Sequence, residues 1–150
     1  MIVKRMLLTL LTCLVSPSFA DGYDRKDFNY RSYKPNTPIG FYTGKTCDFI
    51  NIDHVVSLKD ACESGAASWS DSKKKTFAND RANHVPSCGR VNSSKGSAAP
   101  KDFLRRSRDG RDYKIVRWCE YAAIYKAMKT KYQLTFANND RKLLSGCAEW

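Results

Sequence analysis

The chain has 150 residues, which is enough for one domain with a single hydrophobic core. Its 26 lysine and arginine residues outnumber 15 aspartate and glutamate residues, so the formal net charge is +11 at pH 7. Such a charge favours a polyanionic partner, although it also serves solubility alone. Outside residues 1–20, no stretch approaches the ~20 apolar residues that cross a membrane, so the composition excludes an integral membrane domain.

Residues 1–20 have the chemistry of a signal peptide for export. Lys4 and Arg5 form a positive start, residues 6–15 form an apolar run, and small residues at 18 and 20 mark a cleavage site. The apolar run is too short to span a bilayer, which takes about 20 residues. We therefore expect a mature, soluble and monomeric chain that begins near Asp21 and is secreted or periplasmic.

The following part of the chain predicts an irregular arm and then a series of short elements. Residues 21–46 are polar and aromatic with scattered proline and glycine, and we expect their rings to pack on the domain rather than stack on bases. Periodicity and capping signals then predict a strand at 48–54, a helix over 55–69, a short helix over 70–80 and a strand at 84–87. Beyond a turn at 88–90 they predict a short helix opening at 92–94, a further helical turn from 100, a basic loop at 105–111 and a helix at about 112–131.

Two blocks carry polar residues that suit the cleavage of a phosphodiester. The first, INIDHVV at 50–56, places Asp53 beside His54, and the second, NHVPSCGRVNSSKG at 83–96, places Asn83 nine residues before Asn92. Imidazole is a good base near neutral pH, and carboxylate oxygens are ligands that Mg²⁺ prefers. Adjacent strand residues point to opposite faces, so Asp53 and His54 reach one phosphate only if the strand ends or bends there. The arrangement predicts one-metal phosphodiester cleavage.

These blocks resemble the HNH, or ββα-metal (His-Me finger), endonucleases, and most of all small secreted proteins similar to the C-terminal domain of the GmrSD restriction enzymes. The shared features are the I-x-x-D-H-V-V block, the nine-residue step between the asparagines and the N-x-x-K-G ending. Further matching segments span about residues 42–134 and read YTGKT (42–46), IDHVVSLKDA (52–61), SGAASW (64–69), FANDRANH (77–84), C-x-Y (119–121) and KYQL (131–134).

The resemblance implies an α+β fold, in which residues 47–150 form a nuclease domain with a ββα-metal core, flanking helices and disulfides. It implies that His54 is the catalytic base, that Asn83 orients His54 through an amide hydrogen bond, and that Asp53 and Asn92 hold the metal. Asn92 stands where the family name implies histidine, and two oxygen ligands favour Mg²⁺ or Mn²⁺ over Zn²⁺. The implied reaction is cleavage of DNA, with RNA as an alternative, with little sequence specificity and a 5′-phosphate product.

Basic side chains near the motif are candidates for phosphate contacts. We assign this role to Lys95, Arg105, Arg106 and Arg108, although each also fits a solvated surface. His84 follows Asn83 on a strand, so its side chain is expected to face the other way and is not assigned a direct role.

Cysteine usage predicts a disulfide-braced domain, because export leads to an oxidising compartment. Cys13 lies in the signal segment, where lipidation is a less favoured alternative, and the others are Cys47, Cys62, Cys88, Cys119 and Cys147. An odd number predicts two bonds and one thiol. We expect Cys119–Cys147, because the tail must fold back on the last helix to bury its leucines, and Cys62–Cys88 as its companion, which leaves Cys47 as the thiol.

Two alternatives to a nuclease stay open from the sequence. A non-enzymatic basic protein that binds nucleic acid or an anionic envelope polymer would bind without turnover and without a need for Mg²⁺. An HNH toxin would require an immunity protein, and a neighbouring immunity gene would distinguish it.

Overall fold

The two strands of the structure form one antiparallel sheet, β1 (Ile50–His54) with β2 (His84–Cys88). The register pairs Asp53 with Val85 and His54 with His84. β1 ends at His54, so the expected end of the strand at the Asp-His pair is confirmed. The chain leaves the sheet there because Ser57 caps the helix that follows.

The structure is a computed structural model that describes residues 22–108, 113–136 and 144–147. Within these ranges it contains the two-stranded sheet, five α-helices and two disulfides, which confirms the α+β class. The expected signal peptide at 1–20, the side chain of Arg108 and positions 109–112 lie outside the described residues. The HNH core stays a prediction.

The helices begin where the capping residues predict. They are α1 (Leu58–Glu63), α2 (Asp71–Ala78), α3 (Gly89–Lys95), α4 (Pro100–Arg108) and α5 (Trp118–Lys131), and 3₁₀ turns lie at Arg25–Phe28, Ala66–Ser68 and Arg81–Asn83. The Ser57 hydroxyl accepts from the Asp60 N–H at 3.0 Å, and the Ser70 hydroxyl accepts from the Lys73 N–H at 3.3 Å. Pro100 is the first residue of α4, where its missing N–H costs nothing.

Two expected segments were wrong in extent. The helix expected over 55–69 stops at Glu63, and Gly65 has a φ of +132°, a conformation that residues with side chains rarely adopt. Glycine therefore lets the chain leave the helix there. The basic loop expected at 105–111 is helical as far as Arg108, because the favourable start at its proline carries the helix through the arginines.

The N-terminal arm packs its aromatic side chains into the domain, as expected. Phe28 and Tyr42 are each 1% exposed, and the Tyr42 ring meets Phe103 edge-on at 5.0 Å between centroids. The Phe41 N–H donates to the Pro86 carbonyl at 2.7 Å, which fastens the arm to β2. The arm is therefore part of the core and can carry residues to the site.

Helix α5 supplies the other half of the core and ties it to α1. It begins at Trp118 rather than near 112, and Tyr121 and Tyr125 are fully buried on its inner face. The ammonium of Lys129, also fully buried, donates to Asp60 at 2.7 Å, and the Tyr125 hydroxyl donates to the second oxygen of the same carboxylate at 2.7 Å. Each charge of this buried pair is thus compensated.

The first disulfide closes the C-terminal tail onto α5. Cys119 is bonded to Cys147, which confirms the expected pair. Leu144 is 1% exposed, so the tail does fold back to bury an apolar side chain. The bond therefore lies where the apolar tail was expected to return.

The second disulfide joins Cys47 to Cys88, so the expected Cys62–Cys88 bond was wrong. The register explains the choice, because Cys88 lies opposite Ile50 at the start of β1 and hence near Cys47. Cys62 follows the other end of that strand and is the cysteine outside the described disulfides. Gly40 makes room for the bond, since a Cβ there would lie 2.7 Å from the Cys88 sulfur.

Candidate functional site

Three of the four predicted site residues line one cleft. It has a volume of about 230 Å³, and Asp53, His54 and Asn92 all contribute to its wall. Asp53 and His54 come from the end of β1, and Asn92 comes from α3, which packs against both strands. The cleft is therefore the candidate site, and the motif spacing did bring these three side chains together.

The imidazole of His54 is held in one orientation. His54 is 5% exposed, and its Nε2 lies 2.8 Å from the carbonyl oxygen of Ala78. A carbonyl can only accept, so Nε2 carries the proton and Nδ1 is the basic nitrogen of the neutral ring. Ala78 is the last residue of α2, where carbonyl oxygens lack a partner within the helix. The end of the helix thus selects the tautomer of His54.

The second histidine, His84, packs directly against the first. The ring centroids of His54 and His84 lie 4.6 Å apart with nearly perpendicular planes. The His84 Nε2 donates to the same Ala78 oxygen at 3.0 Å, and its Nδ1 accepts from the Tyr33 hydroxyl at 3.2 Å. Both nitrogens of His84 are in use, whereas no described residue hydrogen-bonds to Nδ1 of His54. Of the two histidines, His54 is therefore the one that can take a proton.

Asp53 is a buried carboxylate with two protein partners. The Tyr42 hydroxyl donates to Oδ2 at 2.5 Å, and the Lys95 ammonium lies 3.0 Å from Oδ2 and 3.3 Å from Oδ1. Burial, and then the neighbouring Asp53 carboxylate, hold the pKa of Tyr42 well above its usual value, so the hydroxyl stays protonated and donates.

Lys95 is a structural cation rather than a surface one. It is fully buried, and besides the ion pair with Asp53 its ammonium donates to the backbone carbonyl of His54 at 2.8 Å. The prediction that Lys95 contacts a phosphate was therefore wrong, because its charge lies inside the protein. It locks α3 to the end of β1 and so fixes the cleft.

Asn83 also does a different job from the expected one. It is fully buried, its amide oxygen accepts from the Val56 N–H at 2.8 Å, and its amide nitrogen donates to the Val56 carbonyl at 2.9 Å. Its own backbone carbonyl accepts from the Val55 N–H at 2.8 Å. The expected amide hydrogen bond to His54 was wrong. Asn83 clamps the backbone that follows His54 and thereby positions the end of the strand.

Asn92 contributes an amide to the wall of the cleft. Its side-chain nitrogen donates to the side-chain oxygen of Asn51 on β1 at 2.9 Å. This bond fixes the side chain and assigns its nitrogen as the donor, and no described residue donates to its oxygen. The Asn92 oxygen is therefore available as a ligand.

These oxygen donors fit a weakly held Mg²⁺ or Mn²⁺ ion that the substrate completes. A carboxylate has about four lone-pair sites, and Tyr42 and Lys95 make three contacts to Asp53. Mg²⁺ keeps several waters and takes one or two carboxylates together with substrate phosphates. The charge of Lys95 opposes a second cation, so the negative charge of a phosphate has to balance it. No group of three or more His, Cys, Asp or Glu that could hold a metal occurs in the described ranges.

The expected arginine contacts have mixed positions. Arg105 is exposed on α4, and whether it meets a phosphate stays a prediction. Arg106 donates to the carbonyl oxygens of Ser94 and Lys95, each at 2.9 Å, and so satisfies the last carbonyls of α3. Its position supports the helix that carries Asn92, and a phosphate contact of Arg106 also stays a prediction. The side chain of Arg108 is not among the described ones.

The arm brings a cation to the cleft that the sequence analysis missed. Arg25, in the first 3₁₀ turn, lines the cleft with Asp53 and His54. Tyr30 of the arm packs edge-on against the imidazole of His54 at 4.6 Å between centroids. No local pattern marks Arg25, because its position depends on the burial of Phe28 at the end of the same turn. Its guanidinium suits an incoming anion.

The two buried histidines should make the stability of the protein depend on pH. Burial lowers the pKa of His54 to about 3, although its Ala78 hydrogen bond acts the other way, and burial likewise lowers the pKa of His84. In the unfolded chain both titrate near ~6.5, so below that pH the unfolded state binds more protons. We expect the free energy of unfolding to fall by about 2 kcal/mol between pH 7 and pH 5 from His54 alone, as measured by urea denaturation.

A double variant, His54→Gln with His84→Gln, is the control for this pH dependence. It keeps side-chain donors of similar size but removes both titrating groups, so its free energy of unfolding should change less over the same pH range. A wild-type protein whose stability is flat from pH 7 to pH 5 would contradict the prediction.

Comparison with known proteins gives one informative similarity. A protein of Arthroderma benhamiae named "Uncharacterized secreted protein" is 32% identical over 98 residues, which are 64% of this chain and 45% of that protein. The chain thus spans less than half the length of that relative. No family model matches the chain, and no solved structure matches it. Among the described helices, none combines the length and apolar character that a membrane crossing needs.

Proposed function

We propose that this protein is an exported, metal-dependent endonuclease of the HNH type that cleaves DNA, with RNA as an alternative substrate. The observation that carries the proposal is the imidazole of His54. Its Nε2 is tied to the Ala78 carbonyl, which leaves Nδ1 as the proton acceptor in a cleft that also holds Asp53 and Asn92. A base with a fixed tautomer beside oxygen ligands suits the attack of water on a phosphodiester.

Export is supported by three independent features. Residues 1–20 have the chemistry of a signal peptide, and the similar Arthroderma protein is named as secreted. The described residues also hold two disulfides, which persist in oxidising compartments. Together they support a site of action outside the cell or in the periplasm.

In the proposed reaction, a water molecule is activated by Nδ1 of His54. The ring takes a proton as the water oxygen bonds to phosphorus, and the bond from phosphorus to the 3′ oxygen breaks, so that this oxygen leaves as a hydroxyl after protonation from solvent. A divalent ion held by Asp53 and Asn92 would supply positive charge beside the phosphate and the leaving oxygen. The products carry a 5′-phosphate and a 3′-hydroxyl.

Burial of His54 suits a base that acts only on bound substrate. Its lowered pKa keeps the ring unprotonated in the empty cleft, mainly because burial disfavours the charged form. The negative charge of a bound phosphodiester raises that pKa again and so makes the imidazole a stronger base when substrate is present. Arg25, in the same cleft, supplies charge that favours the phosphate.

The direct test is digestion of supercoiled plasmid by the purified, oxidised protein with Mg²⁺, with Mn²⁺ and with a chelator. We expect nicked and then linear plasmid with either metal and intact plasmid with the chelator. Binding to DNA without turnover under all three conditions would overturn the proposal and favour a basic polymer-binding protein.

Asn92→Ala should weaken the use of metal without disturbing the fold, because it removes a half-buried ligand that carries no charge. We expect the Mg²⁺ concentration for half-maximal cleavage to rise and the lost activity to be partly recovered at high Mg²⁺ or with Mn²⁺. Ser93→Ala, an exposed neighbour on the same helix, is the control and should titrate like wild type. Equal metal dependence in both variants would place the metal elsewhere. Asn92 is a cleaner probe than Asp53, whose removal also leaves the Lys95 charge buried and uncompensated.

A further inference from the structure

A second cavity adjoins the cleft and is formed largely by the N-terminal arm. It has a volume of about 360 Å³, and its wall includes Tyr33, Lys34, Pro35, Ile52, Arg81 and His84. We call it the arm pocket. Ile52 lines both the arm pocket and the cleft, and the His84 ring packs against the His54 ring at 4.6 Å. The two cavities therefore share one wall.

The arm pocket presents an arginine that is held in place with its hydrogen-bond donors still available. The guanidinium carbon of Arg81 lies 3.4 Å from the centroid of the Tyr33 ring, and the Tyr33 hydroxyl is anchored on His84. Stacking uses the face of the guanidinium and leaves its N–H groups for a planar oxyanion. Arg81 is exposed, and it has no ion-pair partner in the described ranges.

The charge of the arm pocket is positive throughout its described lining. Lys34 is exposed beside Tyr33 and, like Arg81, has no ion-pair partner among the described residues. No acidic side chain belongs to the described lining. Because Arg81 covers one face of Tyr33, that face cannot stack on a base, and the pocket suits a phosphate better than an aromatic ring.

We propose that the arm pocket binds a second phosphodiester of the nucleic-acid strand whose neighbouring phosphate lies in the cleft. This inference rests on the proposed function and names its substrate as a polynucleotide strand held at two phosphates. Successive phosphates of one strand rise by about 3.4 Å per nucleotide in B-DNA, so a single strand can meet two cavities that share a wall. His84 then joins the two subsites, since it anchors Tyr33 on one side and packs on His54 on the other.

The test compares two double variants that remove the same charge. Arg81→Gln with Lys34→Gln empties the arm pocket of cations, whereas Lys26→Gln with Lys75→Gln removes two exposed lysines from a cavity beside α2. Each is made with and without His54→Gln, so that binding of an oligonucleotide can be measured without turnover. The readouts are the salt dependence of binding, and the KM and kcat for the oligonucleotide and for bis(4-nitrophenyl) phosphate, a phosphodiester too small to reach both cavities.

We expect the arm-pocket variant to flatten the salt slope of binding by about one to two units relative to the lysine control. Its KM for the oligonucleotide should rise several-fold, and its loss on the oligonucleotide should exceed its loss on the small diester. Arg81→Lys alone keeps the cation and should retain most of the slope. Equal slopes in the two double variants would overturn the arm pocket while leaving the nuclease proposal in place. A wild-type protein that cleaves neither substrate with Mg²⁺ or Mn²⁺ would overturn both.

Discussion

His54→Gln should lower plasmid cleavage by roughly 10²–10⁴-fold, the usual cost of losing a positioned general base. Glutamine keeps a side-chain N–H that can reach the Ala78 carbonyl and fills most of the space of the buried ring, so the fold should persist. What it removes is the basic nitrogen. DNA binding should stay close to wild type, because the cations of the cleft and the arm are unchanged.

His84→Gln is the matched comparison, since the chain has 2 histidines and both donate to the same carbonyl. Both ring nitrogens of His84 already have protein partners, so its loss should slow cleavage far less than the loss of His54. Cleavage should be followed by gel densitometry under identical Mg²⁺, with circular dichroism to verify folding. A folded His54→Gln protein with more than about a tenth of wild-type activity would contradict the base assignment.

Lys95→Met should cost about 3–5 kcal/mol of stability, the range for breaking a buried ion pair by removing one partner. Lys95 is fully buried and bonds both Asp53 and the backbone of His54, so methionine leaves the Asp53 charge without its cation. The same loss should loosen α3 against β1 and lower cleavage more than the drop in folded fraction explains. Adding Asp53→Asn should recover part of the stability but not the cleavage.

Lys129→Met is the structural control for this experiment. It breaks a second buried lysine–aspartate pair of similar geometry, which joins α5 to α1 rather than lining the cleft. We expect a comparable loss in urea denaturation but near-normal cleavage per folded molecule. If Lys95→Met unfolds at the same urea concentration as wild type, the ion pair with Asp53 does not hold the site together.

Much of the local structure of this protein is determined by the sequence itself. The strand that ends at His54, the helix caps at Ser57 and Ser70 and the start of α4 at Pro100 all depend on neighbours within a few residues. Side-chain capping, the fixed φ of proline and the pleat of a strand act over that range, so a pattern along the chain is enough to predict them. The assignment of Asp53, His54 and Asn92 to one cleft also followed from motif spacing.

The tertiary structure alone decided what the other polar residues do. Lys95 has the spacing of a surface cation, but folding places its ammonium on Asp53, far away along the chain, and burial turns it into an internal ion pair. Asn83 bonds the backbone of Val56 instead of a histidine ring, because the register of β1 and β2 sets which atoms meet. The same register gives Cys88 to Cys47. Such contacts join segments distant in sequence, and their partners depend on how whole elements pack, which no local pattern records.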